Sequence, residues 1–407
     1  VEISLIERGL GWLEKLPKVK WVALITGILV IATIARFESY PRVSDDYTYY
    51  IGHWIRIIQN EGIQAWNSAR YANYSPTIIY LLWFGSHVAS ILPVDDQGLA
   101  TLKIAAALVD LLLGFAMFTL AKALGASPRR AWIAVALWSL TPSLLLNAAW
   151  WGQFDAGYAA FLLLSTAALF RRRLDLSISL FAFAFFWKAQ ALFTLPAFAA
   201  FWLADFLALS SSEKKRITLR GFLGILGAYL ITILPAATQG MSWDAVFRIY
   251  LGQPEAFRKL SMNAPNIWAL FPDLTYEEWV LPGLIGGAVV AAAIFVRAFL
   301  WARRSSATER ATWILLSALA IPFILPKMHD RYFFVAEALT IPIAILDRDR
   351  QGITFWFGLQ VLALATYGTY LFAWPKPSWP ILVMTLGAIV FVVAHGLLAP
   401  KRPTPSS

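Results

Sequence analysis

The chain has 407 residues, of which 59% are hydrophobic, 15% aromatic and only 14% charged, and its mean hydropathy is +0.62. An average soluble domain carries about 25% charged residues, so a soluble globular protein is excluded and a helical membrane protein is expected. There is no cysteine, which excludes disulfides, thiolate metal sites and a cysteine nucleophile; the net charge of +10 informs through its distribution, with no nucleic-acid partner expected.

A bilayer core of about 30 Å requires a helix of about 20 apolar residues. The apolar runs predict an all-α polytopic protein with twelve crossings, near 19–36, 98–123, 131–149, 155–170, 175–187, 190–208, 217–237, 280–301, 311–326, 333–346, 352–373 and 380–399. The even number puts both termini on one side. With that side cytoplasmic, the inside segments hold 22 of the 34 Lys and Arg residues. The clusters Arg171-Arg172-Arg173 and Lys214-Lys215-Arg216 fix the orientation by the positive-inside rule. The first run lacks a cleavage site and reads as a retained anchor. A compact chain without glycosylation-rich loops fits a bacterial inner membrane better than the endoplasmic reticulum, and the short inner loops put the chemistry on the non-cytoplasmic face.

Two segments depart from simple crossings. Residues Thr77 to Leu92 are apolar, but a crossing there would reverse every later loop, so a short re-entrant or interfacial helix packed against protein is expected. The run 175–187 reaches only about 20 Å, which places the turn Trp187-Lys188-Ala189-Gln190 below the outer surface. Polar residues gather in the outer loops 37–76 and 238–280 of what reads as one integral membrane domain, residues 1–240 forming the catalytic module and 241–407 a more variable part.

Three outer clusters are candidates for chemistry. In the first loop, Asp45-Asp46 precedes a helix predicted over Tyr47 to Gln59. A carboxylate partly desolvated by Tyr47, Tyr49 and Tyr50 suits a general base or a divalent cation, and an N-cap serves equally as an explanation. In the hinge Asn147 to Asp155, the polar Gln153 and Asp155 beside Trp150 and Trp151 read as a saccharide platform, or as an interface anchor with Gly152 allowing the turn. In the hinge Pro326 to Phe333, Lys327, His329 and Arg331 crowd three donors suited to a phosphate. Lys188 and Gln190 lie where two apolar helices meet, and an ionisable group at depth is a functional candidate. Asp110, Asp205 and Glu337 read first as structural, and His53, His87 and His395 show no spacing of a site.

Taken together, these clusters give the chain a resemblance to the GT-C superfamily of polytopic glycosyltransferases that use polyprenyl-phosphate sugars, within it to the branch related to the second mannosyltransferase of GPI-anchor synthesis. The resemblance is carried by Ser44-Asp45-Asp46, Tyr74-Ser75-Pro76, Lys103 with Asp110, Trp151-Gly152-Gln153-Phe154-Asp155, Lys188-Ala189-Gln190 and Met328-His329-Asp330-Arg331-Tyr332-Phe333, over roughly residues 40–340. The family often has His-Glu-Arg-Tyr where this chain has His329-Asp330-Arg331-Tyr332, and Pro-Pro in place of Ser75-Pro76.

The resemblance implies an inverting hexosyl transfer, mannose first among the sugars, from a polyprenyl-phosphate donor to a hydroxyl acceptor beside membrane lipid. It assigns Asp46, favoured over Asp45, as base. Lys188, Lys327, His329 and Arg331 would hold the donor phosphate, and Trp151, Gln153, Asp155, Tyr74, Gln190 and Asp330 the sugar or acceptor. No cofactor is required, although Mg²⁺ or Mn²⁺ could sit at Asp45 and Asp46. Two other readings remain: a transporter or flippase for polyprenyl-linked sugars, although no inverted repeat is visible, and an outer-face polysaccharide polymerase or ligase.

Overall fold

A helix that is apolar all round has no water-facing stripe and is buried in protein or lipid, so the polar residues of this chain mark helix ends. The computed structural model describes residues 5–64, 74–245, 247–249, 258–346 and 351–398. The helices are α1 (Leu5–Lys15), α2 (Lys18–Glu38), α3 (Gly52–Glu61), α4 (Pro76–Ser90), α5 (Gln97–Ala123), α6 (Pro128–Leu140), α7 (Pro142–Leu145), α8 (Asp155–Phe170), α9 (Leu174–Trp187), α10 (Leu195–Leu207), α11 (Ser211–Ala237), α12 (Tyr276–Trp301), α13 (Ala307–Ile324), α14 (Phe334–Ala344), α15 (Gln351–Leu371) and α16 (Trp379–Leu398). Short polar caps start several of them. Ser210 with Glu213 and Ser306 with Glu309 form reciprocal capping boxes, and Asp96 accepts from the Leu99 N–H at 2.8 Å, satisfying donors that a helix start leaves unpaired.

Each of the twelve predicted crossings coincides with one of these helices or with a bent pair. Among the described residues seven segments are long and apolar enough to span alone, and α6 with α7 and the turn after it adds an eighth, bent by 58°. The helices α8 and α9 are apolar but shorter. Helix α5 packs on α4, α6 and α8, α9 packs on α8 and α11, and α13 is flanked by α12, α14 and α16. Helix α4, which covers the doubtful run 77–92, buries Thr77, Ile78, Ile79, Leu82 and Ala89 against protein, the setting that a short interfacial segment requires. Residues 347–350 and the Pro/Ser tail lie outside the described residues.

Two carboxylates inside the bundle are paired with arginines. Arg36 donates to Asp110 at 2.9 Å and to the Ser139 carbonyl at 2.8 Å, and Arg310 donates to Asp205 at 2.8 Å, with Arg172 on the other oxygen. These pairs account for two of the three intramembrane carboxylates as helix-to-helix ties.

Candidate active site

The site forms where the first loop meets the hinge between α7 and α8. Residues Leu146–Trp151 make a wide π-helical turn of the kind often found at functional positions. Its end is fixed by Gly152, whose φ of 78° is left-handed and beside which a Cβ would come within 2.7 Å of the Leu102 side chain, so only glycine fits. The carbonyls of Ala149 and Trp150, which such a turn leaves unpaired, accept from the buried Lys103 Nζ at 2.6 and 2.8 Å. Lys103 thus braces the hinge. The reversal at Gly152 sends the Trp151 and Gln153 side chains to the same carboxylate, that of Asp46.

Asp46 Oδ2 accepts from Trp151 Nε1 at 2.8 Å and Gln153 Nε2 at 2.6 Å, and Oδ1 accepts from the Tyr370 hydroxyl at 3.0 Å. Ser44 ties the loop down by donating to the Trp151 carbonyl at 3.1 Å. Arg331 Nη1 lies 3.6 Å from Asp46 Oδ2, and its guanidinium sits 5.3 Å from the centroid of the Trp151 ring. Tyr74 donates to Gln153 Oε1 at 3.2 Å, orienting the amide so that its NH₂ faces Asp46. The Asp46 side chain keeps 23% of its surface exposed and Arg331 15%, so both can be reached from outside.

A second, deeper set adjoins the first. Asp155 pairs with Lys188 and accepts from Asn147 Nδ2 at 3.1 Å, while the Lys188 ammonium lies 5.9 Å from the Tyr74 ring and 5.7 Å from the Tyr158 ring. Lys188 is extended (φ −157°, ψ 128°) between α9 and the 3-10 turn Ala189–Thr194, and with Gln190 it is buried, as the shortness of α9 required. Gly157 lets Trp187 close over this pair, since a Cβ there would lie 2.4 Å from the indole.

The remaining predicted residues part company with the cluster for identifiable reasons. Asp45 is exposed and Asp46 only partly so, since successive residues at a helix start point about 100° apart. Tyr47 donates to Asp96 at 3.1 Å instead of shielding Asp46, and Tyr49 and Tyr50 are 69% and 53% exposed. The predicted desolvation by these tyrosines is replaced by Trp151, Gln153 and Tyr370. Lys327, at a left-handed φ of 66°, carries its ammonium to 5.6 Å from the Tyr276 ring. The strand pair Ser261–Met262 and Met328–His329 imposes this turn. Asp330 is buried, caps the Arg331 N–H at 2.8 Å and receives Asn263 Nδ2 at 3.3 Å, so it braces the hinge. Burial pushes its carboxyl up to about 6. Burial, with Arg331 and Lys188 nearby, pushes His329 down to about 3, so its ring is neutral and offers a phosphate no charge.

Asp46 fits a divalent cation poorly. Both of its oxygens already accept from N–H or O–H donors, a guanidinium faces it, and Asp45 does not join it. Among the described residues no group of three His, Asp or Glu side chains could hold a metal. Tyr370 and Asn263 are additions that the sequence did not signal: both are single polar residues, in an apolar helix and a long loop.

No protein-family model and no curated protein matches the chain. The fold is similar to that of ArnT from Cupriavidus metallidurans. That crystal structure, bound to undecaprenyl phosphate, matches with a TM-score of 0.53 and 16% identity over 94% of this chain and 78% of ArnT. At this identity the likeness is one of fold, and it agrees with the all-α architecture and the long apolar helices of a polytopic membrane protein.

Proposed function

We propose that this protein is an inverting glycosyltransferase that moves a sugar from a polyprenyl-phosphate donor to a hydroxyl acceptor at the outer face of a bacterial plasma membrane, with both termini cytoplasmic. The observation that carries the reading is the juxtaposition of a partly exposed carboxylate, Asp46, with a guanidinium, Arg331, whose Nε and Nη1 are buried and without a hydrogen-bond partner among the described residues. A guanidinium that makes only this long contact to Asp46 and has N–H groups without hydrogen bonds suits phosphate oxygens. The undecaprenyl phosphate bound by the structurally similar ArnT supports the same ligand class here.

In this reading the acceptor oxygen attacks the anomeric carbon while its proton passes to Asp46. The bond from that carbon to the phosphate oxygen breaks, and Arg331 offsets the charge that grows on the departing lipid phosphate. A carboxylate has about four acceptor positions. Oδ2 is taken by two N–H donors and Oδ1 by one O–H, so Oδ1 keeps a position for the incoming proton. Lys188 contributes its field from behind Asp155, and Trp151 and Gln153 line the sugar side. No step needs a metal. Mannose is the first sugar to test, on the GPI-related resemblance.

The test is incubation of purified protein with undecaprenyl-phosphate [³H]mannose and a bacterial lipid extract. Release of undecaprenyl phosphate with label in a new product is expected from the wild type and not from Asp46→Asn, which should still bind undecaprenyl phosphate. Movement of intact donor across vesicles without release would instead support a flippase.

A further inference from the structure

Tyr370 of helix α15 lies 324 residues beyond Asp46, yet one face of this helix forms a wall of the site. Tyr367 is fully buried and meets Trp151 edge-on, ring centroids 5.4 Å apart at 85°. One turn later Tyr370 stacks on the same indole, 4.7 Å away at 27°, and donates to Asp46. The preceding carbonyl, that of Thr366, accepts from Asn263 Nδ2 at 3.1 Å, the amide that also touches Asp330. The indole that donates to one oxygen of Asp46 is therefore gripped by the helix that donates to the other.

We propose that Tyr370 is a positioning residue for this base: its hydroxyl fixes the rotation of the Asp46 carboxylate so that the free acceptor position on Oδ1 keeps one direction. The physical need is specific. Trp151 and Gln153 both bind Oδ2, and contacts to a single oxygen leave the carboxylate free to turn about the axis through it. A donor on Oδ1 removes that freedom, and a proton acceptor held in one orientation is worth rate rather than affinity. The inference rests on the reading of Asp46 as base.

Tyr370→Phe keeps the stack on Trp151 and removes only the O–H. With undecaprenyl-phosphate [³H]mannose as donor, kcat should fall about ten- to a hundredfold, the worth of one hydrogen bond to a charged group. The KM for donor and the affinity for undecaprenyl phosphate should stay within about twofold. Tyr370→Leu, which also removes the stack, should be slower still. A Tyr370→Phe enzyme within about twofold of wild-type kcat, alongside an inactive Asp46→Asn, overturns the positioning role and leaves the base reading intact. Full turnover by Asp46→Asn overturns both. Loss of undecaprenyl phosphate binding in Tyr370→Phe would assign the tyrosine to packing and overturn the proposal.

Discussion

Lys188→Met isolates the buried ion pair behind the site. The Lys188 and Asp155 side chains retain only 9% and 1% of their exposure, and Asp155 has one further donor, Asn147. Removing the ammonium leaves a buried carboxylate with a single hydrogen bond, and uncompensated buried charges of this kind cost about 3–5 kcal/mol. Removing both charges, as in Lys188→Met with Asp155→Leu, should cost much less, because a well-packed apolar pair often replaces a buried ion pair nearly neutrally. The double-mutant cycle should therefore show a coupling of about 3 kcal/mol. Unfolding by SDS in mixed micelles, followed by near-ultraviolet circular dichroism, gives the four free energies. If Lys188→Met were as stable as the wild type and the two changes simply added, the pair would not be a structural tie, and Lys188 would be better read as a phosphate ligand whose proximity to Asp155 is incidental.

Arg331→Lys keeps the charge but loses the planar fork, so undecaprenyl phosphate should bind about tenfold more weakly in a fluorescence or thermophoresis titration, and an unchanged affinity would place the phosphate elsewhere. Gly152→Ala forces a side chain into a left-handed turn and against Leu102; a loss of about 1–3 kcal/mol in the same SDS titration is expected, with turnover lost as Trp151 and Gln153 shift. His329 is held down to about 3 from its usual 6.5, so the unfolded chain binds the extra proton first. Its contribution to stability is fully present above pH 6.5 and is lost as pH falls through that window toward about 3; His329→Gln should flatten the acid side of the stability curve, and an unaltered slope would show that the imidazole is not buried neutral.

Much of the architecture was legible in the amino-acid order because lipid imposes a one-dimensional rule. A crossing helix must be long and apolar, its ends must be polar, and Lys and Arg must collect inside. That rule located the helices, the short α9 with its buried turn at Lys188, and the polar hinges at Asn147 to Asp155 and Pro326 to Phe333. Burial of an ionisable group is costly enough that Asp110 had to find a partner, although nothing in the sequence marked that partner as Arg36.

Which outer side chains touch is a different kind of fact, decided by turns and by pairs remote in sequence. Adjacent Asp45 and Asp46 are alike as letters, and only the packing of the first loop on the hinge exposes one and hands the other to Trp151 and Gln153. Lys327 and Arg331 share a hinge, but the strand pair with Ser261–Met262 sends one to Tyr276 and the other to Asp46. Tyr370 was invisible, since a tyrosine near the end of an apolar helix is ordinary at a membrane interface. Apolar periodicity is summed over many residues and survives local detail. A hydrogen bond is set by a few tenths of an ångström between groups whose approach depends on the packing of every helix between them, and that only the tertiary structure decides.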